Sequence, residues 1–203
     1  MGQRLHKERP MKFQYSKTIQ RGICLLLLVA LILPTGTQNA LAAPGDTTLI
    51  SIDSSGIQGN DMSRFADISA DGRYVVFESD ANNLVSGDTN NTTDIFVKDR
   101  FTGQVTRVSV DSSGAEANNG SGGSAISANG RFGAFGSDAS NLVANDTNNT
   151  TDIFLRDLQL GITTRISVSS SGDQANNVSD TQIAISADGR FVAFVSDASN
   201  LVS

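Results

Sequence analysis

The 203-residue chain has one cysteine, one histidine, no tryptophan and three prolines. Both Cys24 and His6 fall within its first 43 residues. That opening stretch has the layout of a secretory signal peptide. A basic segment (Arg4, Lys7, Arg9, Lys12, Lys17, Arg21) leads into eleven apolar residues, Ile23 to Leu33, and then Pro34 and the small-residue triplet Ala40-Leu41-Ala42. Eleven apolar residues are well short of the roughly 20 that span a bilayer, so cleavage is expected rather than anchoring. Met11 is a second candidate start that gives the signal an ordinary length. Cys24 precedes most of the apolar run instead of following it, so a lipid-modified cysteine is not expected.

With residues 1–42 removed, the mature chain has neither cysteine nor histidine. It can form no disulfide, although an exported protein meets oxidising conditions. It has no thiol nucleophile, no imidazole base and no imidazole ligand, which excludes Ser-His-Asp catalysis and zinc sites within it. The remaining 161 residues carry nine Arg or Lys against twenty Asp or Glu, a net charge of −11. Nucleic-acid binding rests on basic contacts to phosphate, so this charge argues against it. It favours a cation.

What the chain does have is repetition. The nine residues DTNNTTDIF stand at 88–96 and again at 146–154, and Ile68 to Val110 aligns without a gap to Ile126 to Val168 with 27 identities in 43 positions. A third copy starts at Ile185, and Thr47 to Ser63 matches the later TTRISVSSSGDQANNVS. The organisation read from this is the tail of one unit (47–63), two whole units (65–123 and 124–182) and the start of another (183–203). Repeats of this length signal stacked or radial architectures.

Within each unit a short apolar strand ends at Ile68-Ser69 and turns at Asp71-Gly72, with Asn129-Gly130 and Asp188-Gly189 in the other copies. Such pairs tolerate the positive φ of a tight hairpin. Arg73 to Ser79, Asp94 to Asp99 and Val105 to Val110 are rich in β-branched and aromatic residues and form the next three strands. Four antiparallel strands per unit describe an all-β propeller blade. The stretches ISADGRYVVF and DIFVKDRFTGQVTRVS resemble the WD-like repeats of TolB-type periplasmic β-propellers. The resemblance covers essentially the whole mature chain and implies a bacterial, periplasmic or exported protein. TolB-type blades are usually shorter, and the excess here lies in Asp80 to Thr93. A β-sandwich or β-solenoid is the architectural alternative. Propellers close with about four to eight blades, so two whole units and two parts read as a piece of a longer ring.

In a meander, successive connections alternate between the two ends of the sheet. The short turns at Asp71-Gly72 and Thr102-Gly103 therefore share one face. The long polar connections Asp80 to Thr93 and Asp111 to Ser124, with counterparts at Asp138 to Thr151 and Ser169 to Thr181, share the other, where binding is expected. Asp88, Asn90 and Asp94, and in the second copy Asp146, Asn148 and Asp152, place hard oxygen donors at alternate positions, as Ca²⁺ requires. The pattern departs from the EF-hand loop, lacking its Gly at position 6. The competing reading of the same residues is Asx-turns that start the third strand. Both readings stay open, with Ca²⁺ the one candidate cofactor.

Arg73 and Arg131 could pair with Asp99 and Asp157 between strands or blades. The function expected is a non-catalytic exported scaffold that meets a protein or polysaccharide through its long-loop face. The alternative is the propeller part of a hydrolase, either a prolyl-oligopeptidase-like enzyme or a carboxylate-dependent glycosidase or lyase. No G-x-S-x-G motif occurs in these 203 residues. Glu78 is the best acid for the second version, since Gly136 and Val195 replace it in the other copies, but a lone strand Glu is expected to be solvated.

Overall fold

The computed structural model describes residues 47–202. The expected signal peptide, with His6 and Cys24, lies outside the described residues. Every regular element that is described is a strand. Strands β1 (Ser63–Ile68), β2 (Tyr74–Ser79), β3 (Asp94–Asp99) and β4 (Val105–Arg107) form one antiparallel sheet in sequence order. Strands β5 (Ser121–Ile126), β6 (Phe132–Ser137), β7 (Asp152–Asp157) and β8 (Ile162–Arg165) repeat it, and β9 (Ser179–Ile185) pairs with β10 (Val192–Ser196). The register repeats as well: Phe77 faces Phe96 as Phe135 faces Phe154. These are consecutive propeller blades.

Serine hydroxyls fix where each blade starts. Ser63 and Ser79 share a hydrogen bond of 2.9 Å, Ser121 and Ser137 one of 2.9 Å, and Ser179 and Ser196 one of 3.0 Å. The first strand of each sheet begins at Ser63, Ser121 and Ser179.

At the first hairpin of each blade only the glycine takes a positive φ, +70° at Gly72, +70° at Gly130 and +73° at Gly189. The residue before it contributes its side chain instead. Asp71 Oδ1 accepts from Ser69 Oγ (2.6 Å) and Arg73 N (3.0 Å), and Asn129 and Asp188 repeat the arrangement. This is why the motif reads Ser-Ala-Asp/Asn-Gly-Arg.

Alternation along β2 buries both faces of the blade. Val76 joins Ile95, Val97 and Val108 against Ile126, Phe135 and Phe154 of the next blade. Its neighbour Phe77 packs the opposite way with Phe96, Leu84 and Val105, over which Ile50 of the incoming segment lies. Burying a side chain of this size contributes about 1.5–3 kcal/mol. Blades also touch through their turns, where Ala70 N donates to Ala128 O (3.0 Å) and Ala128 N to Ala187 O (3.1 Å). Tyr74 lies directly over Gly130, leaving no room for a β-carbon.

A bulge interrupts the pairing of β1 with β2 between Arg64 and Asp67, and of β5 with β6 between Gly122 and Ala125. It places Gly123 at φ +65° and Phe65 at φ +51°. The glycine adopts this conformation freely, whereas the phenylalanine is strained there.

The expected arginine pairs form inside each blade. Arg73 Nη2 meets Asp99 Oδ2 at 2.7 Å, and Arg131 meets Asp157 at 2.7 Å, tying the start of the second strand to the end of the third. Burial alone would raise Asp99, but Arg73 and the N–H groups of Phe101 and Thr102 outweigh it and bring its pKa to about 2.

Candidate functional site

The long connection Asp80 to Thr93 feeds β3, whose first residue, Asp94, is fully buried. Its carboxylate accepts from Ser109 Oγ (2.5 Å), Asn90 Nδ2 (3.1 Å) and Arg107 Nη1 (3.3 Å). Ser109 Oγ in turn accepts Ile95 N (3.1 Å), so one hydroxyl bridges the loop's anchor and the strand it starts. Arg107, at the end of β4, also reaches Asp88 (3.9 Å), Gly87 O (3.0 Å) and Glu116. One guanidinium thus sits among three carboxylates.

The second copy repeats this around Arg165. Asp152 accepts from Ser167 Oγ (2.5 Å), Asn148 Nδ2 (3.0 Å) and Arg165 Nη1 (3.3 Å), and Arg165 meets Asp146 at 3.2 Å. Here Gln174 stands in place of Glu116. Its Nε2 donates to Thr147 Oγ1 (2.8 Å), where Glu116 instead accepts from Thr89.

Burial raises the Asp94 pKa to about 6, against the opposing pull of Ser109 and Arg107. Burial also raises Asp88, opposed by Arg107, and raises Asp146, with Asp152 adding to the effect. Glu116 moves the other way. Hydrogen bonds from Thr89 dominate, and with help from Arg107 they lower it to about 2 despite some burial.

All six oxygen-bearing residues expected from the sequence are therefore gathered into two equivalent clusters, Asp88, Asn90 and Asp94 in one blade, Asp146, Asn148 and Asp152 in the next. The asparagines are turn-formers: Asn90 Oδ1 accepts Thr92 N (3.2 Å) while its Nδ2 donates to Ala117 O (2.9 Å), and Asn148 does the same with Thr150 (3.4 Å) and Ala175 (2.9 Å). Single oxygens of Asp88, Asp94 and Glu116 lie within 4.8 Å of one another, a spacing able to hold a metal ion. Sequence reasoning missed Arg107, Arg165, Ser109, Ser167 and Glu116. The available signal was the repeated Arg-Val/Ile-Ser of the fourth strand, read as strand chemistry only.

Glu78 departs from expectation. It is 5% exposed, accepts Gly123 N at 2.6 Å from the next blade and lies 3.4 Å from Arg64. The neighbouring blade covers the strand face that would otherwise be solvated, and Gly122, where a β-carbon would meet Glu78 Oε1 at 3.3 Å, leaves room for the carboxylate.

Above the two clusters the long-loop face is concave. One cleft of about 370 Å³ is lined by Asp61, Asp80, Asn82, Asp88, Asn91 and Thr92, with Thr93 beside them. The next blade has a cleft of about 510 Å³ lined by Asn119, Asp138, Ser140, Asp146, Asn149 and Thr150, joined by Thr151 and Asn118. Seven lining positions correspond one to one, 58 residues apart. An amide clasp shapes each rim: Asn118 N donates to Asn141 Oδ1 (3.0 Å) and Ser140 N to Asn118 Oδ1 (3.0 Å), as Asn60 does with Asn83 (2.9 Å) and Asn82 (3.1 Å). At the lip, Asn91 and Asn149 are exposed with φ +53° each. Among the described residues no helix is long and apolar enough to cross a membrane.

No family model matches the chain, and no curated protein matches it. Solved structures do. The chain is similar to TolB from Acinetobacter baumannii at 21% identity over 72% of this chain, with a TM-score of 0.38. It is similar to the tricorn protease at 17% over 66% (TM-score 0.41) and to Kuenenia stuttgartiensis hydrazine synthase at 15% over 69% (TM-score 0.38). It spans 29%, 11% and 37% of those chains respectively. By its own topology, the described chain is two consecutive four-stranded β-propeller blades followed by two strands of a third.

Proposed function

We propose that the chain is an exported, non-catalytic β-propeller module whose long-loop face binds a neutral polysaccharide. The observation that supports this is the recurrence of one cleft, with the same seven lining positions, on adjacent blades. A ligand built of repeating polar units suits a surface built of repeating polar clefts. The lining offers amide donors and acceptors, hydroxyls and carboxylates, the groups that hydrogen-bond sugar hydroxyls. The net charge of −11 disfavours acidic polymers. The basic, apolar and small-residue order of residues 1–42 supports export.

The test is affinity electrophoresis of the full chain through gels containing neutral polysaccharides. Asn91→Gly and Asn149→Gly remove the lip amides yet keep the positive φ. Either change should weaken retardation by a polysaccharide that retards the unaltered protein, and both together should abolish it, since linked sites reinforce one another. Equal retardation of the double variant, or none by any neutral polysaccharide, overturns the reading. A protein partner would then be the remaining ligand class.

In this account Arg107 and Arg165 supply the positive charge that the loop carboxylates need. The second reading is that calcium supplies it at Asp88, Asp94 and Glu116, which the convergence of their oxygens within 4.8 Å favours. Oxygen ligands to Ca²⁺ lie at about 2.3–2.6 Å, so this reading requires Arg107 to withdraw from the cluster.

A further inference from the structure

We propose that Asn119 is a site of spontaneous deamidation that converts the second cleft to the acidic form of the first. The sequence holds two Asn-Gly pairs, Asn119-Gly120 and Asn129-Gly130. Glycine after asparagine matters because the attacking atom is the following backbone nitrogen, and a side chain on that residue blocks its approach. Asn119 is exposed, and its Oδ1 accepts Gly120 N at 2.9 Å. The side-chain amide carbon is thereby held alongside the nitrogen that attacks it.

The reaction balances without any cofactor. Gly120 N loses its proton to solvent and its lone pair forms a bond to Asn119 Cγ. Nδ2 takes a proton from solvent, the Cγ–Nδ2 bond breaks and the nitrogen leaves as ammonia, closing a succinimide. Water then opens the ring at either carbonyl, giving aspartate or isoaspartate and one new negative charge.

Three equivalent positions supply their own controls. Asp61, Asn119 and Asn177 all accept from the next backbone nitrogen, at 2.7 Å from Met62, 2.9 Å from Gly120 and 2.8 Å from Val178. The first copy already carries the acid, which shows that the fold accepts it there. Asn177 has the same geometry, but the β-branched Val178 obstructs attack. Asn129, the other Asn-Gly, is locked: its Oδ1 accepts Ser127 Oγ (2.7 Å) and Arg131 N (3.0 Å), while Gly130 N donates to Ser127 O (2.9 Å). The product carboxylate lines the cleft beside Asp138. In the first cleft Arg64 pairs with the corresponding Asp80 (2.7 Å), but Gly122 stands in its place here, so the new charge is not offset in the same way.

The experiment incubates the full chain in mildly alkaline buffer, folded and in denaturant, and maps peptides by mass spectrometry. In the folded protein the Asn119 peptide should convert to Asp and isoAsp while the Asn129 and Asn177 peptides stay unchanged. In denaturant Asn129 should convert as well, which shows that structure protects it. Gly120→Ala should abolish conversion at Asn119, its β-carbon meeting only Thr92 Oγ1 at 3.1 Å. The proposal is overturned if folded Asn129 or Asn177 converts as fast as Asn119, or if Asn119 converts in denaturant only.

Discussion

Replacing Arg107 with methionine removes the cation that pairs with Asp88, Asp94 and Glu116 among the described residues and keeps most of the side chain's length. Breaking a buried pair from one side typically costs about 3–5 kcal/mol. The loss should depend on pH, and the direction follows from the two shifted acids. Asp94 has a folded pKa raised from 3.8 to about 6, so ionising it costs nothing below its unfolded value and about 3 kcal/mol above the folded one. Glu116, lowered to about 2, contributes stability above its unfolded value that disappears as the pH falls toward 2. Arg107 opposes the first shift and supports the second. Without it both acids hold protons more tightly in the folded state, so the variant's deficit should be largest near neutrality, shrink as the pH falls through about 6 where Asp94 protonates, and lose its Glu116 part only toward pH of about 2. Thermal unfolding at about pH 7.5 and about pH 5 measures this, with a neutral-pH loss of melting temperature of about 10 °C. If Arg107→Met fails to fold, Ser109→Ala probes the same anchor, costing about 1–3 kcal/mol through the acceptor lost to Ile95 N and the donor lost to Asp94. A deficit in Arg107→Met that is small, or equal at both pH values, refutes the internal-cation account of these loops.

Gly130→Ala and Gly72→Ala form a matched pair, since both glycines sit at φ +70°. A β-carbon at 72 meets Arg100 Nη1 at 3.5 Å and Ile68 Cδ1 at 3.9 Å, both ordinary contacts, so the cost there is the backbone strain of about 1–2 kcal/mol, whereas at 130 it falls 2.1 Å from the Tyr74 ring and should separate the two blades. Equal melting temperatures for the two variants would refute the inter-blade packing described. Glu78→Ala leaves Gly123 N without its acceptor and should cost about 1–3 kcal/mol, with faster hydrogen exchange at the Gly123 amide; an unchanged exchange rate would contradict the latch.

The blade architecture was legible in the sequence because its signals are local. Ser-x-Asp/Asn-Gly-Arg closes a turn within five residues, and alternation such as Val76-Phe77 announces a strand buried on two faces. The polar loops were legible as a cluster because their ligand-like residues lie within seven positions. Arg107 was not, since it meets Asp94 from 13 residues away and depends on the register of β3 with β4. Nor was Glu78, whose burial is decided by Gly123 of the next blade, 45 residues on. The Asn60–Asn82, Asn118–Ser140 and Asn176–Ser199 clasps recur three times, but each joins segments more than 20 residues apart. Local chemistry showed the elements, and the pairing between them assigned the roles.

The most direct test of the account is the melting temperature of the unaltered chain in calcium and in chelator. If Arg107 and Arg165 already neutralise the loop carboxylates, the two temperatures agree, and calcium raises stability only in Arg107→Met, where the three carboxylates lose their cation. A metal that binds the unaltered fold at 100 times its Kd adds about 2.7 kcal/mol. A clear rise of the unaltered protein's melting temperature in calcium, absent in magnesium, contradicts the account and assigns Asp88, Asp94 and Glu116 to the metal.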